Sequence, residues 1–223
     1  MAKPGRKALP RRPLTADMIA RQALALADAG GLENFSFRHL AKELKCEAMS
    51  IYHYYPSKAH LLDAMVVLCL SELEFIGSER PWQERITHLT RSYRKMALNH
   101  PGFYPFLAIY RMNSQAGLTA LESVVSVFHD MGLSAEGQAR CFRIFGYYLT
   151  GACLDETIGY VKGPSAAEPV PQAQAAQQFP TIMGIGKWFA REHHQATFEK
   201  GLEVMIAGIA GTLAQEKNKA AGS

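Results

Sequence analysis

Residues 35–65 read FSFRHLAKELKCEAMSIYHYYPSKAHLLDAM, and the fold turns on this stretch. Ser36 is a natural N-cap, Phe35 and Leu40 flank it as a hydrophobic staple, and Phe37, Leu40, Ala41 and Leu44 recur at helical spacing. That helix ends near Leu44. Lys45-Cys46-Glu47 form a turn, and a second short helix follows over about Ala48 to Tyr54. Pro56 stops it, and Ser57 caps another helix in which Leu61, Met65, Leu68 and Cys69 share a face; this one is expected to run over about 57–77. Two short helices joined by a tight turn, with a third packed behind, are the arrangement that places one helix in a DNA major groove.

Toward the N-terminus, Thr15 caps an earlier helix, stapled by Leu14 and Ile19 and with Asp17 in its first turn. Ile19, Ala23, Leu26 and Ala27 continue it until Gly30-Gly31. Residues 1–13 carry five bases, three prolines and no acid, and are expected to be a flexible arm. Toward the C-terminus the helices lengthen. Trp82, Ile86, Leu89, Tyr93 and Met96 line one face of a helix that stops at His100-Pro101-Gly102. Thr119 and Glu122 predict a capping box for a helix closing at Gly132, and Ser134 predicts the cap of another that ends near Gly159. Residues 162–180, KGPSAAEPVPQAQAAQQFP, hold four prolines and little that packs, which predicts a mobile loop. Two last helices are expected over about 182–193 and 195–213. No sustained β-alternation occurs, so the chain is expected to be all-α.

The net charge of the 223-residue chain is only +4, yet residues 1–60 hold ten Lys and Arg against five Asp and Glu. Positive charge gathered at one end is the footprint of contact with a polyanion. No apolar run is long enough for a membrane span, and no apolar stretch follows the basic start, so neither a membrane protein nor a secretory signal is expected. The four cysteines, Cys46, Cys69, Cys141 and Cys153, form no C-x-x-C pair, which suits reduced thiols and a cytoplasmic location. No G-x-S-x-G or H-E-x-x-H motif is present, and GIGK at 184–187 lacks the preceding strand of a phosphate loop. His193 and His194 are adjacent, so on a helix they point apart and cannot share one ion. An enzyme is not expected, nor is a metal or a cofactor.

The stretch 35–65 resembles the DNA-binding domain of the TetR family of repressors: a Ser/Thr cap (Ser36), an Arg (Arg38), a Leu-Ala pair (Leu40-Ala41), a Tyr in the recognition helix (Tyr52), and a Lys followed by two Leu (Lys58, Leu61-Leu62). The segments WQERITHLTRSYRKMALNHPGF (82–103), GLSAEGQARCFRIFGYYLTGACLDE (132–156) and FEKGLEVMIAGI (198–209) are similar to the tetracycline-repressor-like C-terminal domain. The resemblance implies a ligand-responsive, homodimeric regulator, a repressor, that reads a palindromic double-stranded operator and is released by a small-molecule effector. Dimerisation is then expected on the helices at about 134–159 and 195–213. The family's turn usually carries Gly where this chain has Lys45, which predicts either a left-handed lysine there or a slightly different turn. The metal-chelating histidine of tetracycline-binding members has no match, so no metal site is carried over.

The expected organisation is an arm (1–13), a three-helix helix-turn-helix domain (14–60, motif about 36–55), a larger helical domain for effector binding and dimerisation (61–215), and a tail (216–223). The expected DNA-binding residues are Ser36, Phe37, Arg38, Ala48, Met49, Ser50, Tyr52, His53, Tyr54 and Lys58, with Ile51 as the inward anchor. Their hydroxyl, imidazole and cationic groups suit phosphates and base edges, and the start of the Ser36 helix offers free N–H groups. The expected effector-binding residues are Tyr93, His100, Phe103, Tyr104, Phe106, Tyr110, Phe128 and Tyr147, which favour a small apolar or aromatic ligand. A rival reading keeps the fold but not the operator: a helical small-molecule- or partner-binding protein, since Ala48 and Met49 offer no bidentate hydrogen bonds to bases. Steep salt dependence of DNA affinity separates the two.

Overall fold

The computed structural model describes residues 13–159 and 170–221. The arm expected over 1–13 falls outside these but for Pro13, as do residues 162–169 of the expected loop. Every regular element among the described residues is helical: α1 (Ala16–Gly30), α2 (Phe37–Leu44), α3 (Ala48–Tyr54), α4 (Lys58–Leu70), α5 (Trp82–Asn99), α6 (Tyr104–Ile109), α7 (Gln115–Asp130), α8 (Ala135–Ile158), α9 (Gln172–Gln178), α10 (Pro180–Ile185) and α11 (His194–Ala221), with single 3₁₀ turns between some of them. The chain forms two compact units that divide within α4, between Leu68 and Cys69. No helix among the described residues is long and apolar enough to cross a membrane.

The first unit is a small three-helix assembly closed by the start of α4. Thr15 Oγ1 accepts the Met18 N–H at 3.2 Å, and Ser36 Oγ accepts the His39 N–H at 3.2 Å, so both predicted caps form. Ile19, Ala23, Ala27, Leu40, Ile51, Leu61 and Met65 are wholly buried and make its core. Full burial of each large aliphatic side chain is worth about 1.5–3 kcal/mol, which is what holds such short helices together. Gly31 ends α1 at φ 73°, a conformation that favours glycine.

In the second unit α5, α7, α8 and α11 enclose Ile86, Leu89, Phe128, Phe145, Leu149, Phe198 and Leu202. Polar ties join the same helices. Arg94 makes two hydrogen bonds to Glu156, at 2.7 and 2.6 Å, and its guanidinium lies 4.8 Å from the Phe198 ring centre. Arg91 binds Glu199 at 2.7 Å, and Arg85 binds Asp130 at 2.8 Å. At Gly201 on α11 a Cβ would stand 2.5 Å from the ring of Tyr148, whose hydroxyl donates to the Phe198 carbonyl. Glycine is what lets α8 and α11 approach there. All four cysteines are free, and Cys69, Cys141 and Cys153 are buried.

Four boundaries differ from the sequence-based expectation. α4 stops at Leu70 rather than near 77, because the chain turns so that the Glu74 N–H reaches Ser92 Oγ at 2.8 Å. α7 is capped by Ser114, whose Oγ accepts the Gly117 N–H at 3.2 Å. Thr119 lies inside that helix and donates to the Gln115 carbonyl, so the earlier of two local signals wins. Within the expected loop, Gln172–Gln178 form α9, a helix with no buried residue that rests on the intrinsic propensity of Gln and Ala. The two last helices resolve into short α10 and a 28-residue α11, which runs through the expected tail because Glu216 accepts hydrogen bonds from the Ser134 N–H at 2.7 Å and from Ser134 Oγ at 3.0 Å.

Candidate nucleic-acid interface and ligand cavity

The turn between α2 and α3 depends on one residue. Lys45 sits at φ 53°, ψ 42°, and is the one non-glycine residue of positive φ among those described. Its N–H donates to the Lys42 carbonyl at 3.2 Å and the Cys46 N–H to the Ala41 carbonyl at 3.0 Å, a closure usually built on glycine. α3 then leaves the turn with a single buried residue, Ile51. Met49 is 73% exposed, Ser50, Tyr52, His53 and Tyr54 are exposed, and Ala48 is half-buried. Ser36 and Arg38 are exposed at the start of α2.

Within this unit the expected residues are held in different ways. Met49 and Ser50 stand clear on the outer side of α3, and the exposed His53 ring meets that of Tyr54 edge-on with centres 5.6 Å apart. Tyr52 and Tyr54 are exposed but tethered: the Tyr52 ring packs on Phe37 with centres 4.7 Å apart, and the Tyr54 hydroxyl donates to the Leu14 carbonyl at 2.6 Å. Phe37 itself is buried and supports Tyr52 from beneath instead of facing outward, because it belongs to the inward stripe of α2. Lys58 donates to the Phe35 carbonyl at 3.4 Å and lies 5.4 Å from the Phe35 ring centre, which fixes its ammonium at the head of α4. Tyr55, outside the expected set, donates to the Ala16 carbonyl at 3.0 Å and adds a second tie to α1.

The second unit contains a cavity of about 300 Å³, lined by Leu70, Leu73, Leu89, Tyr93, Leu107, Ala108, Tyr110, Met112, Ala120, Leu121, Val124, Phe142, Phe145, Gly146, Leu149 and Thr150. That volume is at the small end of ligand pockets. Of the eight expected effector residues, Tyr93 and Tyr110 line it. The other six do not. Phe103, Tyr104 and Phe128 are wholly buried core residues, and Phe106 packs between Phe103 and Tyr110 with ring centres 5.4 and 5.5 Å away. His100 is bound to Glu72 at 2.7 Å, and Tyr147 is 65% exposed beside Arg143. Burial raises the Glu72 carboxyl, but hydrogen bonds from His100 and Asn99 outweigh it and leave the group below its ordinary value. The aliphatic walls were missed because Leu, Val and Ala at helical spacing look the same whether they face a packed core or a void.

A family model described as "Bacterial regulatory proteins, tetR family" matches residues 19–65, and one described as "Tetracyclin repressor-like, C-terminal domain" matches residues 77–213. The chain belongs to the TetR family. Among TetR-family proteins it is 28% identical over 149 residues to the HTH-type transcriptional repressor DrrR1 of Streptomyces coeruleorubidus, a match covering 66% of this chain and 55% of that one. It is 25% identical over 200 residues to the tetracycline repressor class A from transposon 1721 of Escherichia coli, covering 88% and 91% of the two chains. In three dimensions it is similar to ActR of Streptomyces coelicolor solved with actinorhodin, at a TM-score of 0.71 and 28% identity, over 90% of this chain and 99% of that one.

Proposed function

We propose that this TetR-family chain is a cytoplasmic homodimer that represses transcription at a two-fold operator and is released when a small, largely apolar molecule fills the cavity of the second unit. The observation that carries the DNA half is α3, a helix with one buried anchor and an outer side of Met49, Ser50 and His53. Ser50 and His53 are assigned base and phosphate contacts, and Arg38 and Lys58 are assigned phosphates, since cations at helix starts fix register without reading sequence. Two such helices in a dimer stand about 34 Å apart or somewhat more, one turn of DNA. The effector half is supported by the cavity and by the likeness to ActR, a relative solved with a small molecule.

α4 is the covalent link between the two activities. Lys58 is its first residue, and Leu70, its last, lines the cavity. Release requires the ligand to prefer the conformation that does not bind the operator, and a hundredfold loss of DNA affinity takes about 2.7 kcal/mol of coupling. The test is fluorescence anisotropy of a labelled fragment from upstream of the chain's own gene, paired with analytical ultracentrifugation. Two protomers are expected to bind that fragment far more tightly than scrambled DNA, with a steep salt dependence. A monomer at micromolar concentration, or equal affinity for the scrambled fragment, overturns the proposal.

A further inference from the structure

Tyr93 lines the cavity, and its hydroxyl lies 3.2 Å from that of Tyr104. Tyr104 is wholly buried, with the equally buried Cys153 thiol as its neighbour. The two hydroxyls hold two protons and make one hydrogen bond between them, so one proton is left over. If Tyr104 donates to Tyr93, the spare proton is the one on Tyr93, and an acceptor in the cavity can take it. If Tyr93 donates instead, the buried Tyr104 proton is turned toward sulfur, and a thiol is a weak acceptor where a phenol is a good one. The first arrangement is the stronger, and it suits a ligand that accepts. Burial raises the Tyr93 hydroxyl to about 12 and the Cys153 thiol to about 12, so both keep their protons at neutral pH.

The rest of the cavity wall sharpens the ligand's chemistry. No Lys, Arg, His, Asp or Glu is among the lining residues, whose polar side-chain atoms are hydroxyls and one thioether. A charged ligand entering here loses its hydration and gains no counter-ion. Resting on the effector reading above, we infer that the cavity selects an uncharged, mainly apolar molecule bearing one hydrogen-bond acceptor, a ketone or quinone oxygen, which Tyr93 receives while Tyr104 donates to it from behind. Tyr93 sets the specificity, and Tyr104 positions it.

The test uses three probes of closely matched shape: 2-acetylnaphthalene (neutral acceptor), 2-isopropenylnaphthalene (no acceptor) and 2-naphthoate (anionic). Binding to the full chain is followed by equilibrium dialysis. The ketone is expected to bind about tenfold or more tighter than the carboxylate and about fivefold tighter than the hydrocarbon. Tyr93→Phe should erase the advantage over the hydrocarbon while the hydrocarbon still binds, a control that the variant folds and the cavity persists. Tighter binding of 2-naphthoate, or an unaltered ketone preference in Tyr93→Phe, overturns the inference and leaves the effector site standing. Binding of all three that survives Ala120→Phe, which fills the cavity, or no binding of any, overturns the site itself and the inference with it.

Discussion

Replacing Gly201 by alanine tests the packing of α8 against α11, with a sign that depends on one neighbour. In the native chain the new methyl would stand 2.5 Å from the Tyr148 ring, so the ring must move and the hydrogen bond from its hydroxyl to Phe198 is lost. Overpacking of this kind costs about 1–3 kcal/mol, and the hydrogen bond about 1 kcal/mol. Alanine in a helix interior returns about 1 kcal/mol relative to glycine. The balance is about 1–3 kcal/mol of destabilisation, a fall of about 2–12 °C in Tm for a chain of this size. In a Tyr148→Ala background the obstacle is gone, and Gly201→Ala should instead raise Tm through propensity alone. Thermal unfolding followed by circular dichroism reads the four-member cycle, at fixed protomer concentration because dimers unfold with a concentration-dependent Tm. The reasoning fails if Gly201→Ala stabilises the native chain, or shifts both backgrounds equally.

Lys58→Ala should weaken binding to every DNA sequence tested and flatten the slope of log affinity against log salt by about one; titrations at several salt concentrations measure it, and an unchanged slope removes Lys58 from the phosphate contacts. Lys45→Gly relieves a left-handed side chain worth about 1–2 kcal/mol against about 0.4–1 kcal/mol of added freedom in the unfolded chain, so denaturant unfolding should find the variant equal to or slightly more stable than the parent. The Arg85 hydrogen bond to Asp130 is the main reason its carboxyl is held below the ordinary carboxylate range. A depressed folded value adds stability above the unfolded value, about 4, and loses it as pH falls through the folded one. Asp130→Asn should therefore unfold at lower temperature than the parent near neutrality, with the gap closing in acid.

The first unit was legible because its signals are local. Thr15, Ser36 and Ile51 act within a turn or two of themselves, and Lys45 took the left-handed one of the two turns open to it. The cavity was not legible for the opposite reason. Its walls come from α4, α5, α6, α7, α8 and the segments between them, and only the distances between helices decide whether Leu121 or Phe142 meets a neighbour or a void. The aromatic stretch 103–110 divides between two environments: Phe103 and Tyr104 are core, and Leu107 and Tyr110 line the cavity. α9 shows a third limit. Prolines at 164, 169, 171 and 180 suggested an unstructured stretch, yet the Gln and Ala between the last two suffice for two turns of helix.

The single anchor of α3 also bears on how such a chain changes over generations. Because Ile51 alone commits the helix to the interior, with Tyr52 and Tyr54 serving as outer stays, Met49 and Ser50 carry almost no folding duty. Exchanges at such surface positions typically shift stability by no more than about 0.5 kcal/mol. After a gene duplication, the codons for Met49 and Ser50 can change while the scaffold stays intact, so on the proposed contacts a new target is reachable without passing through an unfolded ancestor.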